Sequence, residues 1–221
     1  EQARRELVTR IAHDLLAPAA SIRAIAEVIE DGMSAEPERH ARQLGAHVGR
    51  LHALVGDLFE LSRIDAGAVP FERETVSVSD LVSDLVAEQS ALAGRHGVEL
   101  VLTRADSALA DIDARQFSRA LVNVLINAIE HSPEGGRVEI AVTAAGAGAG
   151  AGTVTISVRD HGPGIADDDR ARVFEPGWRA SAARTAPRVE GAGGAGLGLA
   201  ITRAVLLAHG GTVSAHNADP G

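Results

Sequence analysis

The sequence predicts an α+β chain of two parts: a long helical hairpin, then a domain of mixed strands and helices. Two observations carry that reading. Apolar residues recur with a helical period from the N-terminus to about residue 66. Beyond "IDAGAVP" the period changes, and 137–143 ("RVEIAVT") and 153–160 ("TVTISVRD") alternate with period two, as paired strands do. An all-helical start followed by mixed elements indicates two domains, placed at 1–68 and 69–221.

In the first part, Val8, Ile11, Leu15, Pro18, Ile22, Ile25 and Ile29 step by three and four, forming an a/d heptad seam. Gly32 and "SAEPER" end this helix, and Ser34 or Glu36-Pro37 can open the next. A second stripe follows through Leu44, Val48, Leu51, Leu54, Val55, Leu58, Leu61 and Ile64. Two helices of about 28 residues give an antiparallel hairpin about 40 Å long. One hairpin cannot surround its own stripe, whereas two can, as a four-helix bundle. A homodimer is therefore expected. On this seam His13 falls at f, facing away from the bundle core, and Asp14 at g is expected to point outward as well. A lone exposed histidine is ordinarily a solvated surface residue. Pro18, five residues later at a d position, removes the hydrogen bond to the carbonyl of Asp14 and is expected to bend the helix beside His13.

In the second part, 71–79 alternate weakly, 80–93 read as a helix, 98–103 as a strand and 113–131 as a strongly amphipathic helix. "AAGAGAGAG" between the paired strands is a low-complexity loop expected to be mobile. Residues 196–209 read as a last helix, and "GTVSAH" starts a strand. Three short patterns carry polar chemistry. "NVLIN" puts Asn123 and Asn127 one turn apart on one helix face. "DHGPGI" ends a strand at Asp160, and Gly162 and Gly164 allow close backbone approach to a ligand, or simply a tight turn. "GGAGLGLA" feeds a helix, an arrangement that offers backbone N–H groups to phosphate. It is only loosely similar to a dinucleotide fingerprint, because no βαβ unit follows.

Composition narrows the function classes. A net charge of -9 argues against non-specific nucleic-acid binding, and 2% aromatic residues with no tyrosine argue against base stacking. No apolar stretch reaches the roughly 18–20 residues of a membrane span; 197–208 is broken by Arg203. The absence of cysteine excludes disulfides and thiolate metal sites, and is consistent with a cytoplasmic setting.

Taken in order, these segments resemble the sensor histidine kinases of two-component systems. "IAHDLLAPAASI" is similar to the family's phosphoacceptor box, "DLFELSRIDAG" to the end of its second hairpin helix, and "NVLINAIEHSP" to the N box. "DHGPGI", "VFEPGWR" and "GAGLGLAITRAVLLAHGG" resemble the first glycine box, the F box and the second glycine box. The resemblance implies a dimeric bundle followed by a Bergerat-type α/β sandwich, the ATP-binding fold shared with the Hsp90, gyrase and MutL ATPases. It implies that His13 takes the γ-phosphoryl group of ATP and passes it to an aspartate of a response-regulator receiver domain, with Asp14 as the imidazole's partner. Asp160 would read the adenine amino group, while Asn127, with Asn123, would hold Mg²⁺ against the phosphates. Gly194, Gly196 and Gly198 would frame the phosphates, and His131, Gly162, Gly164 and Leu197 complete the ATP-binding set. Residues 166–193 would form a mobile lid carrying Arg179, Arg184 and Arg188. The resemblance also implies a cytoplasmic fragment of a longer protein, with the family's last strand beyond Gly221.

Three positions depart from the family pattern. Leu16 stands where a polar residue is usual, Ala17 where many members carry Thr or Asn, and Glu130 where a basic residue is common. An alanine one turn after His13 cannot orient a water. Little phosphatase activity is therefore expected, measurable as an unchanged half-life of the phosphorylated receiver. Two alternatives remain open at this point: a degenerate kinase acting as a receiver-binding scaffold, and an ATPase of the same superfold.

Overall fold

The computed structural model describes residues 2–32, 36–65, 71–145, 152–178 and 196–218. Helices α1 (Gln2–Glu30) and α2 (Pro37–Asp65) form the hairpin. α1 runs unbroken through Pro18 and ends where Gly32 takes a φ of 66°. α2 opens with Pro37 at its first position, where the missing N–H costs nothing. The expected domain boundary at 68/69 lies outside the described residues.

The second part runs β1 (Glu74–Ser77), α3 (Val78–Arg95), β2 (Glu99–Ala105), β3 (Leu109–Ile112), α4 (Ala114–His131), β4 (Arg137–Ala145), β5 (Thr153–Arg159) and α5 (Gly198–Ala208). A three-stranded sheet has the order β2-β4-β5, with β2 parallel and β5 antiparallel to β4. β1 and β3 pair separately in a two-stranded antiparallel sheet. Neither was read as a strand from sequence, because four residues are too few to reveal a period.

Asp113 caps α4, its carboxylate accepting the N–H of Gln116 at 3.0 Å. The Asp113 N–H in turn donates to His209 Nε2 at 3.0 Å, joining the start of α4 to the end of α5. Val82 of α3, Leu125 of α4 and Val138, Ile140 and Val142 of β4 have no exposed surface and form the centre of the core. Alternation on β4 thus buries one face of the sheet under the helices.

The strand expected from "GTVSAH" does not form: 211–218 contain no strand. Their backbone joins no ladder; the segment is tied down instead by one side chain, Asn217, which bonds to Ile165.

Candidate active site

His13 stands on the open side of α1, with 81% of its side chain exposed. Its Nδ1 lies 3.4 Å from Asp14 Oδ1, a long contact. With the proton on Nδ1 facing Asp14, Nε2 carries the ring's lone pair. Asp14 itself is not outward, correcting the expectation from its heptad position. Only 13% of its side chain is exposed, and Oδ2 is buried without a hydrogen-bond partner among the described residues. The reason is geometric: Asp14 shares a helix face with buried Ile11 and Pro18.

The second cluster of predicted residues gathers around α4. Asn123 and Asn127 are both half-buried. Asn123 Nδ2 donates to the carbonyl of Gly198 at 3.2 Å, which sets the Asn face of α4 against the start of α5. Thr202 Oγ1 lies 3.0 Å from the carbonyl of Gly198 and 3.1 Å from that of Ala120, locking the two helices together. The first N–H groups of α5 have no acceptor within the helix and so suit an anion.

Asp160 follows β5, and its Oδ1 accepts the Gly162 N–H at 2.9 Å, leaving Oδ2 available to a ligand. Gly162 is required here: a Cβ would lie 2.5 Å from the carbonyl oxygen of His131. This close approach seats the Asp160 turn on the last turn of α4, one turn beyond Asn127. His131 is exposed at that junction.

Of the second glycine box, Gly196 has a φ of 69°, and a Cβ there would meet the Trp178 carbonyl oxygen at 2.4 Å. The Gly177 N–H donates to the Gly196 carbonyl at 3.0 Å. Gly196 is therefore committed to backbone packing. Leu197 is fully buried, so its side chain belongs to the core and only its backbone can meet a nucleotide. Arg179, Arg184, Arg188 and Gly194 lie outside the described residues, as does most of the expected lid.

Mg²⁺ favours oxygen donors and usually keeps several waters, bound by one or two protein groups plus phosphates. Among the described residues no group of three or more His, Cys, Asp or Glu could hold a metal. The amide oxygens of Asn127 and Asn123 fit that sparse, phosphate-assisted mode.

The hairpin and the second domain touch through a contact that sequence reading missed. Ile11, Leu54 and Leu61 of the hairpin form one cluster with Ala120, Leu197, Ile201 and Val205. Beside it Arg119 donates to Asp57 Oδ1 at 2.7 Å and also pairs with Glu60, which is buried. Burial raises the Asp57 carboxyl above its ordinary value, while the hydrogen bond and charge of Arg119 pull it down. Ile11 and Leu15 flank His13 by two residues, about 200° around the helix. His13 thus faces away from α5 in this arrangement.

Residues 3–67 match the His Kinase A (phospho-acceptor) domain, and 112–221 the histidine kinase-, DNA gyrase B- and HSP90-like ATPase family. Sensor histidine kinase WalK of Bacillus subtilis is 31% identical over 99% of this chain, which spans 35% of that protein. The first three curated relatives are spanned over 35 to 52% of their length. The structure of the mycobacterial sensor histidine kinase MprB is 30% identical, with a TM-score of 0.51 over 62% of this chain and 80% of that one. Full-length ShkA in complex with AMPPNP is 26% identical, with a TM-score of 0.66 over 95% of this chain and 42% of that one. Among the described residues no helix is long and apolar enough to cross a membrane. On these matches, and with its motifs in family order, the chain belongs to the sensor histidine kinase family of two-component systems.

Proposed function

We propose that this chain is the catalytic core of such a kinase, divided near residue 68, and that it phosphorylates itself on His13 from ATP. The observation that carries the reading is the exposed imidazole with Nδ1 turned to Asp14, in the same chain as an Asn123–Asn127–Asp160 constellation. The Nε2 lone pair attacks the γ-phosphorus, an N–P bond forms, and the bond to the β,γ-bridging oxygen breaks as ADP leaves. Positive charge on the ring is met by Asp14, which takes the Nδ1 proton. Asp160 Oδ2 accepts from the adenine amino group, and the N–H groups opening α5 face the phosphates. Mg²⁺ held by Asn127 and Asn123 would neutralise phosphate charge. The arginines expected in the lid would add to that.

The phosphoryl group then passes to a receiver-domain aspartate, whose carboxylate oxygen attacks phosphorus as the N–P bond breaks. The exposure of His13 supports access by a second protein. We also propose a homodimer. Ile29, Val48, Val55, Leu58 and Phe59 are exposed on the hairpin, and a second hairpin would cover them as a four-helix bundle.

Incubation with γ-labelled ATP tests the proposal. The expected product is acid-labile label on the protein, absent from His13→Ala while ATP binding persists. Label remaining on that variant would remove His13 from the role, and free phosphate alone would indicate an ATPase.

A further inference from the structure

Among the described residues, Asn217 makes two hydrogen bonds that tie the C-terminal segment to the Asp160 turn. Its Oδ1 accepts the Ile165 N–H at 2.8 Å, and its Nδ2 donates to the Ile165 carbonyl at 2.8 Å. A neighbouring antiparallel residue would offer the same donor and acceptor pair. Here a side-chain amide supplies it, in a segment that forms no strand.

The residue before Ile165 has adapted to this contact. Gly164 has a φ of 75°, and a Cβ on it would lie 3.0 Å from Asn217 Oδ1. At its other end the turn is fixed by Gly162 against the His131 carbonyl and by the Asp160 Oδ1 bond to the Gly162 N–H. Residues 160–165 are therefore held by α4 at Gly162 and by Asn217 at Ile165, with His161 Nε2 also 3.8 Å from Glu139 Oε1 on β4. Of these, Asn217 makes the close hydrogen bonds, and its side chain can be deleted without opening a core. Asn217 and Ile165 meet at the surface, where water competes and each bond adds little net stability. A carboxylate that must meet a purine at one angle depends far more on such an anchor than global stability does.

We infer that Asn217 is a positioning residue for nucleotide base selection, holding the turn from which Asp160 reads the adenine amino group. The inference rests on the assignment of Asp160 to adenine made above. Guanine presents a carbonyl oxygen where adenine has its amino group, so it gains nothing from a well-placed Asp160. Loss of Asn217 therefore lowers ATP affinity while leaving the weaker GTP affinity unchanged. A general loosening of the domain would weaken both.

The experiment measures ATP and GTP dissociation constants for the whole chain, with thermal melts, in wild type, Asn217→Ala and Asn217→Asp. Asn217→Asp keeps the acceptor but turns a second acceptor toward the Ile165 carbonyl. The expected result is a fall in ATP affinity of roughly fivefold to tenfold in both variants. GTP affinity should hold, and the melting temperature should move by no more than about 2 °C. Unchanged ATP affinity, or equal losses for ATP and GTP, would overturn the inference and leave the pocket assignment standing. If wild type fails to prefer ATP, or Asp160→Asn leaves that preference intact, the pocket assignment itself falls, and this inference with it.

Discussion

In the sheet domain Val82, Leu125 and Ile140 expose no surface, whereas in the hairpin Val55 and Phe59 keep 55% and 66% of theirs. The first region closes a core of its own with α3, α4 and its strands. The second spends one side of its stripe, Ile11, Leu54 and Leu61, on α4 and α5, and leaves the rest open. A hairpin with two apolar fronts must serve two partners, one within the chain and one outside it. The sheet domain leans on the hairpin through α5 and the Ala120 face of α4.

The most severe way to separate the regions is Leu125→Ala. Truncating a fully buried leucine costs about 2–5 kcal/mol. ATP binding should collapse and the melting transition fall, while the oligomeric mass set by the hairpin stays the same by light scattering. A charge on the open front, Phe59→Asp, should do the reverse. Dimer dissociation should strengthen at least about tenfold with ATP affinity unchanged in calorimetry. If ATP affinity fell as well, the two fronts would not be independent.

Arg119→Ala strikes the contact between the regions. It leaves Asp57 and buried Glu60 without their shared cation, which costs more than losing an exposed ion pair because the Glu60 carboxylate stays buried. Because the docked arrangement turns His13 away from α5, loosening it should raise the initial rate of autophosphorylation by about threefold. A slower rate would mean that docking assists transfer. The smallest effect concerns pH. Asp57 is raised above 3.8 by burial, with Arg119 opposing, so the folded state binds this proton more tightly than the unfolded chain. Its contribution is complete below pH 3.8 and is lost as pH rises through the folded value. Asp57→Asn should remove that part of the slope in denaturant titrations run from about pH 4 to 7. An unchanged slope would place the titration elsewhere.

Both hairpin helices were legible because a stripe sustained over most of a 29-residue helix outweighs local noise. The same periodicity placed His13 outward correctly. It failed for Asp14, since the fate of a seam-flanking position depends on what packs against the hairpin. β4, β5 and α4 were legible from strong alternation and amphipathicity. β1 and β3 were not: each has four residues, and their partners lie more than thirty positions apart. The expected strand at "GTVSAH" shows the converse limit, because alternation reports a half-buried extended chain and not the presence of a ladder. Asp160, Gly162 and the two asparagines are proposed from motif order. Arg119, Glu60 and Asn217 were not, because a single polar residue carries no signal until its partner is known.

The seam between Gly177 and Gly196 has an optical consequence. The chain contains one tryptophan and no tyrosine, and that tryptophan, Trp178, sits half-buried with its carbonyl against Gly196. At excitation wavelengths that the four phenylalanines do not absorb, emission therefore originates from one indole, two residues beyond Glu-Pro in the F box and beside Gly196, which leads into α5. The unlabelled protein carries its own single-residue probe at the seam where Trp178 meets Gly196, next to the proposed nucleotide site.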